Sequence, residues 1–422
     1  MKIHDFIKKA INTTLFKNSF ALLIIKFVDL ALPLIVLPFL SRNLSIADFG
    51  LYIVLVSIFS ISFMITDFGF GLSTICNIVN NRKDKKYIQS YVSSIIVIKL
   101  TLVLFITLFT LAYLIFIKID THLNILSYIL IIFTILFQAL QIPWFFQGIE
   151  KMKTITITVL CTKLSFLFVL LILFNFEKSI NIYLVSFMLS TLLSSILYIY
   201  FYKRHGYTLG RFSKKTLITE FKYSFTFFLS RVSTSLSSSL NSIVIATFSG
   251  LNIAAFYGAS EKLYNASVSS ISPITQALYP YLSRTKNIKL LIKISIILFS
   301  LSSITCVFIF HYSNNIIALI FGSDYIEASH YLNLFLILIP INILSILWGY
   351  PAFSIIDRPG IPNITVIVSS IIYLFILSIL YLSKSITVDN IIYSIITIDC
   401  ITFISRIYLF IREYKRHLWL VH

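Results

Sequence analysis

A chain of 422 residues that is 58% hydrophobic and 12% charged, with mean hydropathy +0.94, does not fit a water-soluble globule. Its net charge of +18 invites a nucleic-acid reading, but no basic, aromatic-interleaved polar region exists to bind one. Four scattered cysteines (Cys76, Cys161, Cys306 and Cys400) give neither a disulfide framework nor a metal spacing. What composition leaves is an all-α polytopic membrane protein, with membrane lipid as a partner and nucleic acid excluded.

The first apolar run, Lys17 to Leu40, is long enough to cross a bilayer, for which about 20 residues suffice. It follows a basic start, yet it is too long for a signal h-region and lacks a small-residue cleavage site, so we expect it to be retained. Inside it lie Lys26, Asp29, Pro33 and Pro38, which a bare anchor would not need. Further runs predict twelve spans in all, near 18–40, 50–76, 88–117, 124–146, 154–174, 180–202, 222–247, 252–281, 290–310, 331–350, 362–382 and 390–411. The longest polar connections are Lys203 to Lys222 and His311 to His330, neither large enough for a catalytic domain.

Counting alternate loops from a cytoplasmic N-terminus puts 24 of the 34 lysines and arginines inside and only Arg42, Lys118, Lys178 and Lys384 outside. That bias supports both the twelve spans and cytoplasmic termini. A repeat accompanies it: KNSF at Lys17 reads against KYSF at Lys222, the same offset sets Lys26 against Arg231, and LSIADF (Leu44 to Phe49) reads against LNIAAF (Leu251 to Phe256). An even number of spans separates the copies. The expectation is therefore two pseudo-symmetric six-helix bundles, 1–202 and 222–422, joined by a cytoplasmic linker at 203–221, a known transporter plan.

Four cations, Lys26, Lys99, Lys163 and Arg231, fall at similar depth, about 12–18 Å from the cytoplasmic end of their spans. Together they would make a basic collar suited to a phosphate or pyrophosphate. Alternatively each lysine snorkels or pairs locally, Lys26 with Asp29 or any of them with a helix carbonyl. The buried acids Asp29, Asp67, Glu261 and Asp399 are candidates for counterions or for a coupling proton, with Asp29 favoured as a counterion. Arg406, near the end of its span, is expected to snorkel. The hydroxyl-rich run Arg231 to Ser242 suits close helix packing or a wet path. Tyr257, Tyr264, Tyr279 and Tyr281 suit an interfacial belt or stacking on sugars.

The fourth span ends in IPWFFQGIEKMK (Ile142 to Lys153): a proline kink, an interfacial tryptophan, a glycine break, then lysines. This string, with Pro143, Trp144, Gln147, Gly148 and Glu150, resembles the signature of Wzx-type O-antigen flippases, in the polysaccharide-transporter branch of the MATE-like (MOP) superfamily. LSRNLSIADFGLY (Leu40 to Tyr52), DFGFGLS (Asp67 to Ser73) and the stretch Ile253 to Arg284 are similar to other segments of that family. The resemblance implies a MATE-like V of two bundles around a cationic cavity that opens alternately to each side of the bacterial cytoplasmic (inner) membrane. The implied cargo is an undecaprenyl-pyrophosphate-linked oligosaccharide, the repeat unit of O-antigen or a related surface polysaccharide. The polymerase and chain-length regulator of the same lipopolysaccharide pathway are further expected partners. No cofactor, metal or catalytic residue is expected. The alternatives are a MATE-like drug or cation exporter, disfavoured by the buried cations, and a membrane glycan polymerase or transferase, disfavoured because His311 to His330 holds only Asp324 and Glu327 as acids.

Overall fold

Hydrocarbon offers no water to pair exposed amides, so a chain this apolar must satisfy its backbone within helices. The computed structural model describes residues 14–116 and 123–421, and among these there are seventeen α-helices and no strand. In chain order they are α1 (Thr14–Asn43), α2 (Ile46–Asp67), α3 (Phe70–Asn80), α4 (Lys85–Phe116), α5 (Ile125–Ala139), α6 (Pro143–Gly148), α7 (Met152–Leu173) and α8 (Ile180–Arg204). Then follow α9 (Lys214–Ser249), α10 (Leu251–Ser269), α11 (Ser272–Thr285), α12 (Ile288–His311), α13 (Ser313–Phe321), α14 (Ala328–Leu347), α15 (Tyr350–Ile355), α16 (Ile361–Leu382) and α17 (Val388–Val421).

Nine of the expected spans recur among the described residues as helices, or broken helix pairs, long and apolar enough to cross a membrane. The spans 18–40 and 222–247 are helical, but part of their side chains lie outside the described residues. The span 252–281 differs from expectation. It is two helices, α10 and α11, and their serines, Glu261 and Lys262 leave neither as apolar as the other spans. The chain is a multi-pass membrane protein.

Two compact units divide it. Unit 1 comprises Met1–Leu44 and Ile58–Arg231, and unit 2 comprises Ser45–Ser57 and Val232–His422. In unit 1, α8 packs on α5 and α7, α1 packs on α7, and α3 packs on α6. In unit 2, α14 is central, with α10, α12 and α17 against it, while α11 packs on α15 and α16 on α17. Arg231, which the repeat assigns to the second half of the chain, groups with unit 1.

Each unit contains the same device, and the sequence repeat does not reveal it. In unit 1 a span breaks before a six-residue helix with proline in its first turn, α6, and a left-handed Glu150 follows. In unit 2 the span of α14 breaks before α15, again six residues with an early proline, and a left-handed Asp357 follows. A cation just beyond the helix packed on each then closes the turn. Arg82 meets Glu150 at 3.3 Å and donates to the Ile149 carbonyl at 2.9 Å. Lys286 meets Asp357 at 2.6 Å and donates to the Ser354 carbonyl at 3.0 Å. Carbonyls left unpaired where a helix ends thus receive a donor in both units.

Two polar connections are more structured than expected. The helix α9 begins at Lys214 rather than Lys222, because Ser213 caps it by accepting from the Thr216 amide. The stretch before it is held on α4, where Ser93 and Ser94 accept from the amides of Gly210 and Ser213 and Ser90 donates to the Arg211 carbonyl. Within His311 to His330 lies α13, which buries Ile317 and Phe321. In unit 2 the backbones of α2 and α10 approach closely: a Cβ on Gly50 would sit 1.9 Å from the Leu251 carbonyl oxygen. Gly50→Ala should therefore cost about 1–3 kcal/mol, seen as a lower Tm in lipid nanodiscs. Gly360→Ala, where an added Cβ meets nothing within 4 Å, should leave the Tm unchanged.

Candidate functional site

The motif DFGFGLS supplies the break between α2 and α3. Phe68 and Gly69 both adopt left-handed backbone (φ 45 and 79), and a Cβ on Gly69 would lie 2.7 Å from the Phe227 Cβ and 2.8 Å from the Phe228 amide. Only glycine permits both the dihedral and the approach. The break therefore docks on the first half of α9, within unit 1. Phe68 stacks between Phe221 and Phe228, at 4.5 and 4.7 Å between ring centroids. Ser73 and Ser224 share a hydrogen bond of 2.7 Å. Glu220, buried, accepts from the Tyr91 hydroxyl at 2.8 Å and from Asn77 at 3.1 Å.

At the end of this ladder Arg231 forms an ion pair with Asp67. The carboxylate is buried, at 6% exposed, whereas the guanidinium side chain is 38% exposed. The acid thus orients an arginine that remains accessible. Positions 220, 224, 228 and 231 recur every three to four residues, so one face of α9 carries the whole set.

The other collar residues are placed differently. Lys163, on α7, pairs with Asp29 of α1, so a lysine from another helix reaches this acid. Both are partly exposed, 27% for the lysine and 41% for the acid. Lys99 is 2% exposed and donates to the Gln141 carbonyl at 3.0 Å, in the stretch between α5 and Pro143. That carbonyl belongs to a broken span, and an ammonium beside it is a structural cap. The side chain of Lys26 lies outside the described residues.

In unit 2, Glu261 is buried and accepts from the Tyr257 hydroxyl at 3.2 Å, one turn away on α10. Asp399, on α17, accepts from Asn342 at 3.0 Å, and Asn342 also donates to the Tyr264 hydroxyl at 3.1 Å. Arg406 does not snorkel as expected. It is 8% exposed and turned inward, donating to the Ser345 carbonyl (2.6 Å) and hydroxyl (3.0 Å) and to Thr365 (3.1 Å). Carbonyl and hydroxyl acceptors near the helix break compensate its desolvation where lipid could not. Tyr257 and Tyr264 are accounted for by these contacts, while Tyr279 and Tyr281 are exposed.

The signature Pro143 to Glu150 is built into the packing of unit 1. Trp144, Phe145 and Phe146 are core, and a Cβ on Gly148 would sit 2.7 Å from Ile78 of α3. Gln147 is exposed, and Glu150 makes the Arg82 contact. Sequence reasoning missed Glu220, Asn342 and the inward turn of Arg406. The seven-residue spacing of Asp399 and Arg406, two turns on one helix face, was the available signal for the last. Among the described residues no group of three or more His, Cys, Asp or Glu is arranged to hold a metal.

The Asp67–Arg231 pair, buried on its acid side and partly exposed on its basic side, should show a coupling of about 1–3 kcal/mol in a double-mutant cycle. Asp67→Asn and Arg231→Gln should each lower stability to denaturant in nanodiscs, and the double variant should lose less than their sum. Additive losses would contradict the pairing.

Comparison with known proteins gives the site its setting. A "Putative O-antigen transporter" of Shigella dysenteriae is 28% identical over 269 residues, which span 64% of this chain and 67% of that protein. The fold resembles the lipid II flippase MurJ in an inward closed conformation, with TM-score 0.70 at 13% identity, covering 96% of this chain and 91% of that one. It also resembles an inward-facing multidrug resistance MATE family transporter of the MOP superfamily, with TM-score 0.63 at 15% identity, covering 94% and 98%. At such identities these likenesses establish the fold alone. The profile of the family described as "Polysaccharide biosynthesis protein" matches residues 15–286, well over half of the chain, and the chain belongs to that family.

Proposed function

We propose that this protein is a flippase that moves an undecaprenyl-pyrophosphate-linked oligosaccharide, the repeat unit of O-antigen or a related surface polysaccharide, from the inner to the outer leaflet of the bacterial cytoplasmic membrane. The observation that carries the reading is the accessible, carboxylate-oriented Arg231 inside a membrane chain of the polysaccharide biosynthesis family. A guanidinium has five N–H donors in a rigid fork, so one edge can stay on Asp67 while another grips a phosphate. Lys163, held by Asp29 and partly exposed, supplies a second positive point on the same unit. A relative described as "Putative O-antigen transporter" and a lipid II flippase among the fold neighbours support a lipid-linked sugar as cargo.

Transport proceeds by alternating access, as parallel-repeat transporters do, with twelve spans and both termini cytoplasmic as the positive-inside bias indicates. Sugars travel in a hydrated path and the polyprenyl tail stays in lipid. Product passes to the polymerase and chain-length regulator of the same pathway. No covalent step on the sugar is involved. A drug or cation exporter on this fold would want a net acidic interior, whereas in unit 1 the collar cations Lys26, Lys99, Lys163 and Arg231 outnumber the acids Asp29, Asp67 and Glu220.

The test is relocation in vesicles. Full-length protein should make a lipid-linked oligosaccharide on one leaflet accessible to lectin on the other, with its mass unaltered. Arg231→Ala combined with Lys163→Ala should slow this by about tenfold or more while incorporating normally. Wild-type protein that relocates nothing, or that lengthens the glycan, would overturn the reading.

A further inference from the structure

Two hollows lie within unit 2, and they share a wall at Ile346. The first, a cavity of about 270 Å³, is bounded by α14, α16 and α17. Its polar lining includes Asp399, Asn342, Arg406, Ser345, Ser369 and Thr402. The second, of about 390 Å³, is lined by Tyr279, Tyr350, Gln276, Thr275 and Pro351 beside Ile346. Between them runs the break from α14 to α15, where a Cβ on Gly349 would stand 3.3 Å from an Arg406 guanidinium nitrogen. Together the volumes fall in the range of small-ligand sites, about 300–1,000 Å³.

The lining restricts what fits. Asp399 and Arg406 oppose each other in charge on one face of α17, so neither a bare anion nor a bare cation is matched. A polyprenyl or other apolar chain would strip water from both without replacing its hydrogen bonds. The groups are also held in place: Asn342 fixes Asp399, and Ser345 and Thr365 fix Arg406. The first hollow therefore presents a fixed carboxylate acceptor, fixed donors, and the Ser369 and Thr402 hydroxyls, which are bonded to each other and keep lone pairs to accept. In the second, Tyr279 and Tyr350 are 38% and 49% exposed and offer ring faces. A neutral, polyhydroxylated ring with one apolar face satisfies both halves.

We propose that these adjoining hollows form a saccharide-binding groove in unit 2, which takes a short stretch of the cargo's sugar chain. Hydroxyls bond to Asp399, Asn342 and Arg406, and the next ring stacks on Tyr279 and Tyr350. The groove's lining residues are other than the phosphate-gripping cations, so it reads the sugar rather than the carrier. This inference rests on the flippase reading above.

Binding of two probes to full-length protein in nanodiscs tests it: bare polyprenyl pyrophosphate, and the same lipid bearing the host's own oligosaccharide. Wild-type protein should prefer the glycosylated lipid. Asp399→Asn, and separately Tyr279→Ala with Tyr350→Ala, should reduce that preference by about tenfold or more with affinity for the bare lipid unchanged. The tyrosine variant alters exposed side chains, so it keeps the test open if Asp399→Asn fails to fold. An unchanged preference, or equal weakening of both lipids, would overturn the groove while leaving the flippase reading intact. Wild-type protein that binds neither lipid would overturn the flippase reading, and the groove with it.

Discussion

The interaction on which unit 1 depends is the docking of the first half of α9 on the Phe68–Gly69 break. A membrane helix gains nothing from exchanging lipid for another apolar face, so packing and interhelical hydrogen bonds must hold it. Here Phe68 lies flat between two rings of α9, and the Ser73–Ser224 bond adds about 0.6 kcal/mol by the average for such bonds in membranes. The Arg231–Asp67 ion pair closes the same face. Because the face is continuous, the arginine's position follows from the same packing as the phenylalanines.

That arrangement ties structure to function. An arginine inside a membrane is costly unless something compensates its charge. Asp67 does so from a buried position and leaves the guanidinium reachable. Lys99 takes the contrasting solution, wholly buried on a broken-helix carbonyl, and so serves architecture. Lys163 lies between the two, paired with Asp29 yet partly open. Similar depth in the sequence therefore conceals three environments, and only the partly exposed cations suit a charged headgroup.

The two units repeat a joint that the sequence repeat does not reveal. A short proline-led helix, a left-handed acid and a cation capping the turn appear in both, as Arg82–Glu150 and as Lys286–Asp357. The stretch around Pro143 builds one copy of this joint, which gives its residues a packing role independent of any ligand. In unit 2 the same kind of break leaves room beside Arg406 and Tyr350, so one joint fills the core and its counterpart borders a cavity.

How much of this was legible depends on range along the chain. Hydropathy and helical period are local, so the apolar spans, the all-helical class and the bias of positive charge could be read directly, as could the charges those spans carry, Asp67, Lys163, Arg231 and Asp399 among them. The signature at Pro143 pointed to the family for the same reason. Partners were not legible: Asp67 finds Arg231 across 164 positions, and Asp29 finds Lys163 across 134. No local pattern encodes a contact that exists only once helices pack side by side. Arg406 shows the limit most plainly, for its place near a span's end predicts snorkelling, while the carbonyl and hydroxyls of Ser345 turn it inward. The sequence decided which segments enter the membrane and which charges they carry, because transfer free energy is a property of the segment. Tertiary structure alone decided which charges are capped, paired or open, because that depends on which helix stands opposite.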